Sequence, residues 1–370
     1  MNQLLNKLLS RNDLDTAEAS ELAAAMISRS MSDAMTGALL AALRSKGETA
    51  IEATAFAREM LARANPPALN GTAAAVAGGC GLPVIDIVGT GGDGSSSLNI
   101  STAAAILTAA VAFDGQSSPR AIVLKHGARA VSSRCGTADV LAALGLAVPT
   151  PPDRLASCVN ASGFGFLFAP SYHPALAALA PLRRELGVRT IFNLVGPLAS
   201  PARPTHALFG AYSLGAARVM ATSAMALGMT RCLVVHADNG WDEATPAAAL
   251  TVVDAWQGQV ARELRLAHGD FGLPPCDAAA LVGGDADFNA RALRTMLSPG
   301  AEHSAMLTAF RDATLMNSAL ALLAAGLADD LATGIATGRR ALEGGAALAT
   351  LDRAIAATNA PVRIFAKGAA

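Results

Sequence analysis

From Leu82 onward the chain repeats one grammar, in which a short apolar run ends in a glycine-rich turn and gives way to a helical stretch. VIDIVGTGGDG, AIVLKHGARA, FGFLFAP, HALFGAY and RCLVVHA all read this way. Strands that are apolar throughout and separated by helices are buried on both faces and joined by crossovers. The pattern predicts an α/β fold with a central, mostly parallel sheet flanked by helices. LTVVDAWQGQVARELRL departs from it and reads as a two-stranded excursion turning at Gln257 and Gly258.

The N-terminal stretch follows a helical period instead. Asp15 with Glu18 forms a cap-like start, and Ser32 precedes MSDAMTGALLAALRSKG, whose Leu39, Leu40 and Leu43 share a face. Gly47 ends that helix, and another runs from about Thr49 to Ala62 before Pro66 and Pro67. These helices predict a small N-terminal all-helical domain over residues 1–72, joined by a helical contribution from about 173–188. The larger α/β domain then spans 73–370, with the alanine-rich patch at 73–77 marking the passage. From Asn289 the chain returns to helices, and the nearly all-apolar MNSALALLAAGLA predicts a buried one.

Composition excludes several classes of function. A formal charge of -1, with no basic run longer than the pairs Arg183-Arg184 and Arg339-Arg340, leaves no stripe for nucleic acid. The longest apolar run, Thr102 to Phe113, is too short for a bilayer, which needs about twenty residues. MNQLLNKLLSRNDLD has no secretory core or cleavage site, so a cytoplasmic protein without a membrane partner is expected. The five cysteines (Cys80, Cys135, Cys158, Cys232, Cys276) are never spaced C-x-x-C, which predicts reduced thiols rather than a zinc site.

Four segments carry chemistry. In the first, Asp86 opens DIVGTGGDG, where Gly89, Thr90, Gly91, Gly92 and Asp93 break a strand and Asn99, Ser101 and Thr102 open an alanine-rich helix. Glycines let backbone N–H groups approach a ligand closely, and a helix start favours anions, so the segment suits phosphate. Ser101 or Thr102 is also expected to cap the helix, and simple capping of a tight turn would use the same residues.

In the second, Lys125, His126 and Gly127 leave a strand end, followed by Ser132, Ser133, Gly136 and Thr137. Ligands sit at strand ends in open α/β sheets, and Lys125 there would set a point charge against phosphate. Gly127 is expected to permit a tight turn. Lys125 and Arg129 serve equally well as solvated loop charges on this evidence alone.

The third segment holds Tyr172, His173 and Arg183, then RTIFNLVGPL. The planar fork of Arg183 suits a carboxylate, although a helical arginine is more commonly a surface residue. Phe192-Asn193 and Gly196-Pro197 are expected to form a rigid strand-to-turn wall. The fourth holds Asp242 and Glu243 after CLVVHA. Adjacent acids make a poor acid/base dyad but a reasonable pair of oxygen ligands for magnesium, unless the loop is simply exposed.

Taken together and in order, these segments resemble the anthranilate phosphoribosyltransferase family of tryptophan biosynthesis. The family patterns are G-T-G-G-D with N-I-S-T, K-H-G-N-R with S-G-[ST]-A-D-V-L, H-P-x(8)-R with R-T-x-F-N-x-x-G-P-L-x-N-P, and a D-E pair. The resemblance runs over nearly the whole chain. It implies a nucleoside phosphorylase-like fold and a homodimer joined through the helical parts. It implies transfer of the phosphoribosyl group of phosphoribosyl pyrophosphate to the amine of anthranilate, with Mg2+ as cofactor.

By that resemblance, Gly89, Thr90, Gly91, Gly92 and Asp93 would wrap the pyrophosphate, and Asn99, Ser101, Thr102 and Lys125 would hold phosphates. The substrate surface would continue through Gly127, Ser133, Gly136 and Thr137. Ser101, Asp242 and Glu243 would carry magnesium. His126, Tyr172, His173 and Arg183 would line the anthranilate route, with Asp93, Lys125 and Arg183 most directly catalytic. Two positions depart from the pattern: Ala128 stands where the family has Asn after K-H-G, and Ser200 where it has Asn in G-P-L-x-N-P. A transferase using another aromatic amine, a pyrimidine nucleoside phosphorylase and a non-catalytic nucleic-acid-binding relative remain alternatives at this point.

Overall fold

Four helices, Asn2–Leu9, Thr16–Ile27, Asp33–Lys46 and Ala50–Ala62, open the chain. Their starts are written locally. Asp15 accepts the N–H groups of Ala17 and Glu18, and Glu18 returns to the N–H of Asp15, all at 2.9 Å. Thr49 and Glu52 repeat the exchange at 3.3 and 2.9 Å, while buried Glu52 also accepts Lys46 at 3.1 Å. Each such cap satisfies amides that the helix itself cannot, and is worth about 1 kcal/mol. The computed structural model describes residues 1–69, 82–113, 115, 117–130, 134–259, 261–300 and 304–360. The passage at 73–77, Cys80 and Ser133 lie outside them.

The sheet has seven strands: β1 (Val84–Gly89), β2 (Ile122–Gly127), β3 (Phe164–Phe168), β4 (His206–Gly210), β5 (Arg231–Ala237), β6 (Leu250–Trp256) and β7 (Arg262–Leu266). Their order is β3-β2-β1-β4-β5-β6-β7. β1 to β5 run parallel, and β6 and β7 are antiparallel. The pair around Gln257 and Gly258 is therefore the edge of the main sheet rather than an excursion from it, because β6 pairs with β5 from Arg231↔Trp256 to Ala237↔Leu250.

One face of the sheet, with Phe209, Cys232 and Val234, shares a core with Leu22, Met26, Leu39, Leu40 and Phe56 of the N-terminal helices. The other face, with Ile85, Ile87, Leu208 and Leu233, packs against helices Ile100–Ala112 and Ala305–Ala324. The latter contains the apolar stretch that the sequence marks for burial, and Leu315 to Leu322 are all buried. Short helices Pro174–Ala177 and Ala180–Leu186 return to the N-terminal unit, where Gly37 leaves room for Leu182 and Leu186.

The expected strand-to-turn wall at Phe192-Asn193 and Gly196-Pro197 is instead a helix, Ile191–Leu198. Asn193 Oδ1 accepts the N–H of Thr190 at 3.1 Å and caps it. Its apolar residues then face the shared core, and Pro197 falls in the last turn. Cys135, Cys158, Cys232 and Cys276 are free thiols. Among the described residues no helix is long and apolar enough to cross a membrane.

Candidate active site

The chain leaves β1 toward β2 on one side and returns through β4 on the other, so the sheet order reverses between β1 and β4. Crevices for ligands open at the carboxyl ends of strands at such a switch point. Here those ends are Gly89 and Gly210, paired in register. The loop after Gly89 turns through Gly91 and Gly92, whose φ angles of +64° and +68° residues with side chains seldom adopt.

Asp242 and Glu243 reach this crevice from the loop between β5 and β6. They are buried, not an exposed acidic loop, at 8% and 9% exposure. Asp242 Oδ2 accepts the N–H of Gly91 at 2.7 Å and the hydroxyl of Thr90 at 3.2 Å. The N–H of Asp242 donates to Asp93 Oδ2 at 3.3 Å. Asp93 is otherwise held by Ser95, whose N–H and hydroxyl donate to Oδ1 at 3.0 and 2.8 Å. Glu243 accepts the hydroxyl of Ser97 at 2.8 Å and the N–H of Ser101 at 3.2 Å. The D-E pair thus spans the glycine loop and the helix start, with its two side chains doing different work.

Lys125 lies beneath this arrangement at 1% exposure. Its ammonium donates to the Ile87 carbonyl and, at 3.2 Å, to Ser101 Oγ. It is not a solvated loop charge: it is buried where the charges of Asp86, Glu243 and Asp242 act on it. Burial lowers its pKa to about 8 against the opposing pull of those three acids. Burial likewise raises Asp86 to about 7, against Lys125 and the N–H of His126, which donates to Asp86 Oδ1 at 3.1 Å. The carboxyls of Asp242 and Glu243 are pushed up first by burial and then by neighbouring acids.

Excess buried acid of this kind fits a divalent cation. Gly89, Ser101, Gly210, Asp242 and Glu243 line a gap of about 10 Å³, room for one ion or water. Among the described residues no cluster of three or more His, Cys, Asp or Glu is built to hold a metal. Magnesium sites shared with phosphate commonly take one or two carboxylates from the protein and the rest from ligand and water, and Asp242 and Glu243 are two such carboxylates.

The first helix turn differs from its expected cap. Asn99 is the N-cap, without a side-chain cap bond. Ser101 and Thr102 face the second segment instead, Thr102 Oγ1 lying 3.4 Å from Thr137 Oγ1. Asn99 donates to the Cys135 carbonyl at 3.3 Å and accepts from Asn289 at 2.9 Å. Gly127 has no left-handed φ, so its smallness answers a space requirement: a Cβ there would meet Phe166 and Thr137 at 3.3 Å. At Gly136 a Cβ would lie 2.7 Å from the Arg129 carbonyl carbon, so glycine permits that close backbone approach.

The rings of His126 and His173 meet edge to face, 5.4 Å between centroids. His173 Nε2 bonds the Ala199 carbonyl at 2.8 Å, and His126 Nε2 has no hydrogen-bond partner. Burial, then the neighbouring His173, pushes His126 down to about 3, so its ring is neutral at pH 7. Tyr172, which precedes His173, is half-buried, its carbonyl accepting the N–H of Asn65 at 2.9 Å. Arg183 stacks over Phe192, 5.4 Å from its centroid, and among the described residues makes no ion pair. Ala128 is exposed, and Ser200 is fully buried beside the Asp86 carboxyl.

Sequence reasoning missed Ser97 and Asn317, and gave Arg189 no role of its own. Asn317 accepts from the Ala244 N–H at 3.3 Å and donates to its carbonyl at 2.7 Å, pinning the residue after Glu243. A lone amide inside MNSALALLAAGLA was the available signal. Arg189, which opens the RTIFNLVGPL stretch, stacks on Tyr212 at 4.5 Å and borders Gly92.

Comparison with known proteins gives the class first. Residues 81–348 match the glycosyl transferase family a/b domain, and residues 2–64 match that family's helical bundle domain. The chain thus belongs to this glycosyl transferase family. The anthranilate phosphoribosyltransferase of Chloroflexus aurantiacus is 40% identical over 94% of this chain and 96% of its own length. That of Anaeromyxobacter sp. is 42% identical over 97% and 99%. The crystal structure of the Thermus thermophilus enzyme superposes with a TM-score of 0.84 at 36% identity, covering 96% of this chain and 99% of that one. The Saccharomyces cerevisiae enzyme in complex with PRPP and Mg shares the fold, with a TM-score of 0.81 at 24% identity over 96% of this chain and 97% of its own. The chain belongs to the anthranilate phosphoribosyltransferase family.

Proposed function

We propose that the chain transfers the phosphoribosyl group of phosphoribosyl pyrophosphate to the amine of anthranilate, releasing pyrophosphate. The carrying observation is the buried Asp242-Glu243 pair, bonded at once to the glycine loop and to the helix start at the switch point of the sheet.

The chemical problem is to detach a highly charged diphosphate from a ribose carbon that becomes cation-like. The N–H groups of the Gly89–Asp93 loop bind the leaving oxygens, and the helix start at Asn99, Ser101 and Thr102 takes phosphate with Gly136 and Thr137 beside it. Lys125 holds positive charge below them through Ser101. Glu243, Asp242 and Ser101 are the residues that would hold Mg2+, which supplies neutralisation of charge developing on the diphosphate. Arg183 receives the acceptor carboxylate, and the neutral His126 and His173 rings with Tyr172 form the wall against which the aromatic ring lies. An aromatic amine is neutral and nucleophilic at pH 7, so orientation rather than a strong base governs the rate.

The same reading includes division into a helical unit over 1–72 with 173–188 and an α/β unit over 73–370, assembly as a homodimer through the helical unit, and a cytoplasmic setting. Ala128 and Ser200, each standing where the family pattern has Asn, support a second reading, the same transfer to a related aromatic amine. The test is to mix the protein with phosphoribosyl pyrophosphate, Mg2+ and a panel of anthranilate and related amines. Loss of anthranilate fluorescence with stoichiometric pyrophosphate supports the first reading, and turnover of another amine alone supports the second. Phosphorolysis of thymidine without either would overturn both.

A further inference from the structure

The crevice at the switch point already holds an anion. Gly89 and Gly210 flank it, and a Cβ on either would strike Asp242: 2.8 Å from its Cγ at Gly89, and 2.7 Å from its carbonyl carbon at Gly210. The two glycines therefore clear a path by which Asp242 lays its carboxylate on the N–H of Gly91 and the hydroxyl of Thr90. A backbone N–H presented by left-handed glycines is the donor type that phosphate oxygens take in such loops. The lock is reciprocal, because the N–H of Asp242 donates to Asp93 in the same loop. Glu243 makes no bond to the glycine loop and is held by Ser97 and Ser101.

We infer that the Asp242 carboxylate, beyond any ligand role, competes with the diphosphate for the donors of the glycine loop, so that the anion enters only when the carboxylate is drawn away toward a cation. This rests on the proposed donor site and adds to it an order of events, in which cation binding opens the loop to diphosphate. A ligand-only role for Asp242 makes the opposite prediction. If it merely holds metal, removing it brings no gain when metal is absent.

The experiment is calorimetric titration of inorganic pyrophosphate into the full chain, with Mg2+ and with chelator, for wild type, Asp242→Ala, Asp242→Asn and Glu243→Gln. In chelator, Asp242→Ala should bind pyrophosphate at least about tenfold more tightly than wild type, as expected for losing a competing charge-assisted bond. Asp242→Asn, which preserves shape and packing, should gain in the same direction. Glu243→Gln removes equal charge without touching the loop and should gain clearly less. Equal gains from Glu243→Gln, or no gain from either Asp242 variant in a folded state verified by circular dichroism, would overturn the inference. Wild type that binds with Mg2+ while the variants gain nothing leaves the donor site standing and removes only the lock. No pyrophosphate binding by wild type even with Mg2+ removes the donor site and the lock together.

Discussion

Lys125 Nζ lies 3.2 Å from Ser101 Oγ, which ties the buried cation of β2 to the first turn of the helix after the glycine loop. Removing one partner from a buried charge set leaves the others uncompensated. Lys125→Met should therefore lower stability by about 3–5 kcal/mol as well as abolish turnover. Asp86→Asn in the same chain should recover part of that loss by removing one of the stranded acids. Urea denaturation of the single and double variants decides this, and additive losses would show that the two groups are not coupled.

Asp86 gives a pH signature. Its carboxyl is raised from 3.8 to about 7 by burial, so between those values the folded chain holds a proton that the unfolded chain has released. Stability must then fall as pH rises through that window, by up to roughly 1.4 kcal/mol per pH unit for this group. Asp86→Asn should flatten the slope between about pH 4 and 7, an unchanged slope in denaturant midpoints assigning it to other residues.

The clearance at the strand ends predicts that Gly89→Ala and Gly210→Ala displace Asp242. Overpacking of this kind costs about 1–3 kcal/mol, and both variants should also need more Mg2+ to reach half their maximal rate. Wild-type magnesium dependence in both would show that the position of Asp242 is immaterial.

Much of this site was legible in the chain. Strand, glycine turn and helix start announce themselves in VIDIVGTGGDG and N-I-S-T because they are local, as are the helix starts at Asp15 and Ser32. What could not be read is contact across long separations. Nothing beside Asp242 says that it reaches back to Gly91, and nothing beside Lys125 says that it is buried under the loop rather than standing in solvent. The segment Ile191–Leu198 misled for another reason. Glycine and proline punctuate it like a turn, but the cap between Thr190 and Asn193 and an apolar face turned to the core make it helical.

Arg183 stacks on Phe192 with no acidic partner among the described residues, which leaves its fork available to a carboxylate. Arg183→Ala should raise KM for anthranilate at least about tenfold and change KM for phosphoribosyl pyrophosphate little, because a charge-assisted bidentate pair is lost on the acceptor side alone. Steady-state kinetics with each substrate varied in turn reads the difference, and an equal rise for both substrates would remove this role.

Asp93→Ala and Glu243→Ala should each reduce turnover severely while leaving the fold intact, since Asp93 braces the glycine loop against Asp242 and Glu243 accepts the N–H of Ser101 at the helix start. Circular dichroism beside initial rates separates lost chemistry from lost structure, and wild-type rates in both variants would contradict the assignment.

The most direct measurement is the binding of phosphoribosyl pyrophosphate itself to the wild-type chain in the presence of Mg2+, followed by calorimetry. Saturable heat that Glu243→Ala greatly diminishes is the predicted result. Absence of any heat of association with this activated sugar would contradict the account, however closely the chain resembles its relatives.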